Sequence, residues 1–241
     1  MNKDTIEKLV KLRLPGMLKA YKEQCEDPNI HDLTFEQRFA HLVDAEENSR
    51  HNHLIERLIK NAQLCDKSAC VENIKYYPDR QLNKDLISEL ATNTYIQKGE
   101  NIIIVGATGS GKSYLACALG NCACLEGIKV RYVRLPDLIA DLKVSEEQKN
   151  YKRVLQKYEK PDLLILDEWL LIPADNQTQQ YILEIMERRY RNKGTIFCSQ
   201  FHPEVWHERL GGGALADAIM DRIVARSRTI QIQGGQSMRT R

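Results

Sequence analysis

The stretch Ile102-Ile103-Ile104-Val105-Gly106-Ala107-Thr108-Gly109-Ser110-Gly111-Lys112-Ser113 decides how the rest of the chain is read. From Gly106 to Ser113 it fits G-x-x-x-x-G-K-[ST], a phosphate-binding loop. Four apolar residues precede the loop, and the helix formers Tyr114-Leu115-Ala116-Cys117-Ala118-Leu119 follow it. Strand, glycine loop and helix are the context the motif requires. Glycines allow the turns that aim backbone N–H groups at phosphate oxygens, and the helix N-terminus adds its positive dipole end. All eight residues of the loop are therefore expected to line a nucleotide's phosphates. Lys112 is expected to neutralise the outer phosphates and Ser113 to ligate Mg²⁺.

Pro161-Asp162-Leu163-Leu164-Ile165-Leu166-Asp167-Glu168 is the second signal. Four apolar residues read as a buried strand whose C-terminal end carries two carboxylates. Ligands of open α/β sheets collect at such ends. Asp167 fits the carboxylate that orients Mg²⁺, and Glu168 is placed to polarise a water for attack on the γ-phosphate. The later apolar run Thr195–Ser199 ends in polar residues, and Gln200 or Ser199 is expected to hold that water. Arg222 lies near the end of the helical stretch 217–224. It is either a solvated arginine or one offered to a neighbouring subunit's γ-phosphate.

Outward from these motifs, 102–105, 128–133, 163–166, 195–199 and 229–233 read as strands separated by helical stretches. Alternation of this kind predicts βαβ units, a parallel five-stranded sheet and helices on both faces, a three-layer αβα sandwich. Residues 1 to about 72 read as all helix, and 73–241 as the nucleotide-binding domain. Thr5 to Leu12 carries apolar groups at helical spacing, Pro15-Gly16 is expected to break that helix, and Met17 to Gln24 to form another. Thr34 and Gln37 have the spacing of a capping box. Phe35, Phe39, Leu42 and Val43 form the apolar stripe of the long helix that follows. Tyr76-Tyr77-Pro78-Asp79-Arg80 reads as a linker or docking segment.

The chain has 241 residues, 42% of them hydrophobic, and a net charge of only +2, so bulk charge does not announce a nucleic-acid binder. No apolar run approaches the roughly 18 residues that span a bilayer, and the start of the chain lacks an apolar signal core. A cytoplasmic location is expected. The seven cysteines show no paired ligand spacing and read as free thiols.

Together the phosphate loop, the L-L-I-L-D-E strand, the S-Q strand end and the D-R helix resemble AAA+ ATPases of the DnaC/DnaA clade, and more narrowly the IstB family. The narrower likeness rests on Leu12-Arg13-Leu14-Pro15-Gly16-Met17, Leu33 to Arg38, Asp44-Ala45-Glu46 and Gly235-Gln236-Ser237-Met238-Arg239. The resemblance covers nearly the whole chain. It implies an ATPase using ATP and Mg²⁺ that assembles through its ATPase domains. It further implies binding to duplex DNA with little sequence preference and assistance to a transposase. Arg222 matches the family's trans-acting arginine, and Gln200 its sensor position, where many relatives carry Asn. Candidate phosphate contacts for DNA are Lys8, Lys11, Arg13, Arg57 and Lys60, with Lys143, Lys149, Lys152 and Arg153 in a polar insert between the second and third strands. Interspersed acidic residues leave open that these cations only solvate helix faces. A helicase loader of the DnaC type would share the same ATPase core. A small-molecule kinase would need an acceptor pocket and a lid, and no stretch resembles one.

Overall fold

The computed structural model describes residues 3–234, 236–238 and 240. Gly235 and Arg239, two members of the C-terminal motif, and Met1 and Asn2 lie outside the described residues. The chain divides into two compact units, residues 1–57 and 58–241.

The first unit holds helices α1 (Lys3–Lys11) and α2 (Pro15–Glu26) and most of α3 (Phe35–Ala62). The two expected helices are present, with the break at Leu12-Arg13-Leu14, and Pro15-Gly16 opens the second of them. Proline's fixed φ and missing N–H suit a first helical position as well as they suit a break. Gly16 is buried because α2 and α3 nearly touch there: a Cβ on it would stand 2.3 Å from the Ala45 carbonyl oxygen and 2.7 Å from Ser49 Cβ. The Leu14 cap offers no side-chain acceptor to α2. Glu46 of α3 supplies one instead, accepting from Met17 N–H at 3.1 Å while Arg50 Nε donates to its other oxygen at 2.7 Å. Burial opposes the charge on Glu46, but Arg50 and the backbone N–H groups of Met17 and Gly16 outweigh it and lower the carboxyl's pKa. The L-P-G-M and D-A-E motifs therefore meet as one helix-capping contact. Thr34 and Gln37 form the expected capping box, with Thr34 N–H donating to Gln37 Oε1 at 2.9 Å and Gln37 N–H to Thr34 Oγ1 at 3.3 Å. The stripe it introduces stays largely in solvent: Phe35 is 75% exposed and Phe39 53%, their rings stacked on each other.

In the second unit the elements run α4 (Lys84–Ala91), α5 (Thr94–Gln97), β1 (Asn101–Gly106), α6 (Lys112–Leu125) and β2 (Val130–Arg134). Then come α7 (Leu135–Glu147), α8 (Tyr151–Glu159), β3 (Leu163–Asp167), α9 (Asn176–Arg189) and β4 (Gly194–Ser199). Last are α10 (Trp206–Arg209), α11 (Gly213–Val224) and β5 (Ser227–Ile232). The strand order is β2-β3-β4-β1-β5, with every pair parallel. Successive side chains of a strand face opposite sides. Ile102 and Ile104 enter the core beneath α6, whereas Ile103 and Val105 enter the core formed by α7, α8, α9 and α11. Both faces being covered explains why β1 and β3 are unbroken apolar runs. The expected three-layer sandwich is thus present. The insert between β2 and β3 is less polar than expected: Leu138, Leu142, Leu155 and Tyr158 of α7 and α8 are buried in the second core. Among the described residues no helix is long and apolar enough to cross a membrane.

Candidate functional site

Parallel order puts the C-terminal ends of β3, β4 and β1 side by side, so three separate sequence signals converge. The phosphate loop leaves β1 and ends in α6. Gly109 and Gly111 hold φ of +78° and +94°, values that favour glycine. A Cβ on Gly106 would lie 2.7 Å from Ser110 Oγ and 2.8 Å from the Ile232 carbonyl, so the loop leaves no room for a side chain there. Lys112 Nζ donates to the carbonyls of Gly106 and Ala107 at 2.8 and 2.9 Å, curling over the loop. Burial lowers its pKa, and the nearby Asp167 charge partly offsets that. The Ser110 hydroxyl is buried with no hydrogen-bond partner. A cradle shaped by glycines, a buried ammonium and an orphaned hydroxyl all fit a polyanionic ligand.

Asp167 is buried at the end of β3, and both its oxygens are engaged. Oδ1 accepts from Glu168 N–H at 2.8 Å, and Oδ2 accepts from the Tyr132 hydroxyl at 2.7 Å. Desolvation and that contact push the Tyr132 phenol upward, so it remains a donor. Glu168 adopts a left-handed backbone, φ +53°, uncommon for a residue with a side chain. The fully buried Trp169 beyond it, edge-on to Phe197 and Trp206, leaves the chain little choice of direction. Arg134 at the end of β2 pairs with Asp137 and also reaches Glu168 at 3.5 Å. Both members of that pair are partly exposed, so the contact is weak and readily exchanged. Lys112, Ser113, Asp167 and Glu168 offer the donor set that a nucleotide with Mg²⁺ requires.

At the end of β4 the two polar candidates separate. Ser199 is buried; its hydroxyl donates to the Trp169 carbonyl at 3.0 Å and accepts from Phe201 N–H at 3.1 Å. It is committed to holding neighbouring loops. Gln200 is exposed. Arg222 lies elsewhere. Asn101, the first residue of β1, donates to the Ile223 carbonyl at 3.0 Å, which places the end of α11 at the opposite end of the strands from the loop. Five residues of strand, roughly 16 Å, intervene. The guanidinium is bonded to Glu187 and to the Ala218 carbonyl.

Three contributors were not expected. Tyr132 holds Asp167 as above. Arg80 belongs to the segment read as a linker, yet it is buried and donates to the Ser110 carbonyl at 2.9 Å, bracing the loop from outside. Met238 N–H donates to the Gly109 carbonyl at 2.8 Å, so the C-terminal segment also meets the loop. Beside it opens a cavity of about 790 Å³ lined by Lys112, Ser113, Ile74, Lys75, Tyr114 and Met238 among others. Its size suits a nucleotide. Of the basic candidates, Lys11, Arg13, Arg57, Lys60, Lys149, Lys152 and Arg153 are exposed; Lys8 pairs with Asp4 and Lys143 with Asp175.

Comparison with known proteins agrees with the fold. The chain is 37% identical over 200 residues to an ATP-binding protein of insertion sequence IS1162 from Pseudomonas fluorescens, covering 83% of this chain and 87% of that one. It is 35% identical over 235 residues to the insertion-sequence ATP-binding protein y4uH of Sinorhizobium fredii, covering 98% and 94%. Among solved structures it superposes on the DnaC helicase loader with a TM-score of 0.59 at 19% identity, covering 68% of this chain and 97% of that chain. On AMPPCP-bound DnaA from Aquifex aeolicus the TM-score is 0.60 at 23% identity, covering 72% of this chain and about half, 53%, of that one. At such identities these two matches speak for the fold alone. A family profile described as IstB-like ATP binding protein matches residues 7–241, and the chain belongs to that family.

Proposed function

We propose that this protein binds ATP with Mg²⁺ and hydrolyses it, and that the nucleotide governs assembly of subunits on duplex DNA in aid of a transposase. The observation that carries the reading is the single site where Lys112, Ser113, Asp167 and Glu168 converge. Lys112 would neutralise the outer phosphates, while Ser113 and Asp167 would hold the metal. Bound Mg²⁺ supplies charge neutralisation between the phosphates. Glu168 would orient and deprotonate the attacking water once released from Arg134, with Gln200 a second contact for that water. Arg222 cannot serve its own loop from the opposite end of the strands, which supports a role toward a neighbouring subunit. The exposed cations suit phosphate contacts without base reading, and family membership supports a place in insertion-sequence transposition.

Residues 1–72 would form the DNA- or partner-binding part and residues 73–241 the ATPase domain, although 58–72 already belong to the second compact unit. The test is the size of the protein by light scattering, with and without ATP and duplex DNA, over a salt series. We expect ATP-dependent assembly on DNA that weakens steeply as salt rises. A monomer indifferent to nucleotide and DNA would overturn the proposal.

A further inference from the structure

The phosphate site has a pair of thiols at its flank. Cys65 follows α3 and is exposed, whereas Cys117 lies within α6, buried. Their Sγ atoms are 3.3 Å apart although 52 residues separate them in sequence. Cys65 lines the same cavity as Lys112 and Ser113. On its other side it meets the Tyr132 hydroxyl, the group that donates to Asp167. A continuous path therefore runs from the buried thiol, through the exposed one and a phenol, to the carboxylate assigned to the metal.

We propose that Cys65 and Cys117 are an oxidation site. Hydrogen peroxide converts them reversibly to a disulfide, and the disulfide slows nucleotide turnover through Tyr132 and Asp167. The first clause stands alone; the second rests on the ATPase reading given above.

The chemistry needs no group beyond the peroxide. The Cys65 thiolate attacks one peroxide oxygen: the S–O bond forms, the O–O bond breaks, and hydroxide leaves to become water on taking a proton. Cys117 then attacks the Cys65 sulfur. The S–S bond forms, the S–O bond breaks, and the departing hydroxyl takes the Cys117 proton and leaves as a second water. Two electrons pass from the sulfurs to the peroxide, and a dithiol such as dithiothreitol returns them by exchange.

The positions suit these roles. Attack on peroxide requires an accessible thiolate. Cys65 is the accessible member, and the hydrogen bond it accepts from the Cys117 thiol outweighs burial and lowers its pKa to about 6. Cys117 is sheltered from solvent, and hydrogen bonding to Cys65 with burial raises its own pKa. It is thus a poor target for peroxide and a well-placed partner for the oxidised sulfur. A disulfide of about 2.05 Å needs the two sulfurs to close by roughly 1.2 Å. α6 is packed on both the sheet and α4, so the shift falls on the short segment after α3, drawing Cys65 away from Tyr132.

The full-length protein is reduced, treated with hydrogen peroxide, alkylated, digested and examined by mass spectrometry, with ATP turnover followed in parallel. We expect a peptide linking Cys65 to Cys117 and a fall in turnover of at least three-fold that dithiothreitol restores. Turnover of Cys65→Ser should not respond to peroxide, and Cys117→Ser should form no linked peptide. Cys65 is exposed, so its variant remains informative if Cys117→Ser fails to fold. Absence of the linked peptide at saturating peroxide overturns the site. A linked peptide without loss of turnover, or an equal loss in Cys65→Ser, overturns the coupling to Asp167. If the untreated protein does not turn over ATP, the ATPase reading fails, and the linked peptide still decides the oxidation site.

Discussion

Replacing Tyr132 with Phe deletes one oxygen atom from the second strand and keeps the ring that fills the core. That oxygen donates to Asp167 Oδ2 at 2.7 Å, and tyrosine and aspartate are only 9% and 6% exposed, so water cannot replace it without rearrangement. A hydrogen bond to a charged group contributes about 1.5–3 kcal/mol. At about 1.4 kcal/mol per decade this corresponds to roughly 10- to 150-fold in an equilibrium. Removing the partner of a metal-ligating group costs a comparable 10- to 100-fold, on the order of what second contacts contribute elsewhere. The variant should therefore need roughly 10 to 100 times more Mg²⁺ for half-maximal ATP turnover. Its melting temperature should fall by about 2–4 °C for each kcal/mol lost. A magnesium titration of steady-state turnover, beside a thermal melt, reads both. A half-saturating concentration within two-fold of the parent's, with the melt lowered, would show that the hydroxyl serves packing only and refute the link from Tyr132 to the metal.

Glu168→Gln keeps the shape of the side chain but loses the base, so ATP binding should persist while turnover drops about 100-fold or more; normal turnover would remove Glu168 from the mechanism. Arg222→Ala should bind ATP as a monomer yet hydrolyse it poorly, and mixing it with Lys112→Ala should recover activity if each subunit completes the other's site; no recovery at any ratio would count against a shared site. Gly16→Ala places a methyl 2.3 Å from the Ala45 carbonyl, and should lower stability by about 1–3 kcal/mol in denaturant unfolding followed by circular dichroism; an unchanged midpoint would mean the two helices part freely. The Glu46 carboxyl has its pKa lowered from its ordinary 4.5 in the folded chain, so its stabilisation is present above that value and is lost as pH falls below it. Glu46→Gln should flatten the acid limb of the stability profile, and an identical limb would refute the cap.

The sequence made the sheet legible because β1 and β3 are buried on both faces and their ends carry residues with strong chemical demands. Gly106 to Ser113 and Asp167-Glu168 are each contiguous, so their patterns survive in one dimension. Tyr132 and Arg80 were not legible for the opposite reason. Tyr132 lies 35 residues from the carboxylate it holds, and Arg80 lies 30 from the carbonyl it braces. Nothing near either residue signals a partner so distant. Pro15 marked a real helix boundary but sits on its far side, because the same ring that ends a helix also starts one. The charge of the insert drew attention to its lysines, while the leucines that seat it in the core are spaced at helical intervals across two helices.

The strand order has a consequence for how the protein is made. β1 pairs with β4 and β5, whose partners for Asn101 are Thr195 and Ser227. Roughly a hundred residues must be synthesised after β1 before it has a neighbouring strand, and contacts this distant in sequence form slowly. During that interval Ile102 to Val105 is an apolar strand with two open edges, the kind of segment that pairs with the wrong chain. The strand that carries the nucleotide loop is thus among the last parts of the sheet to be secured. Nascent or truncated chains that stop before β4 should aggregate rather than bind nucleotide.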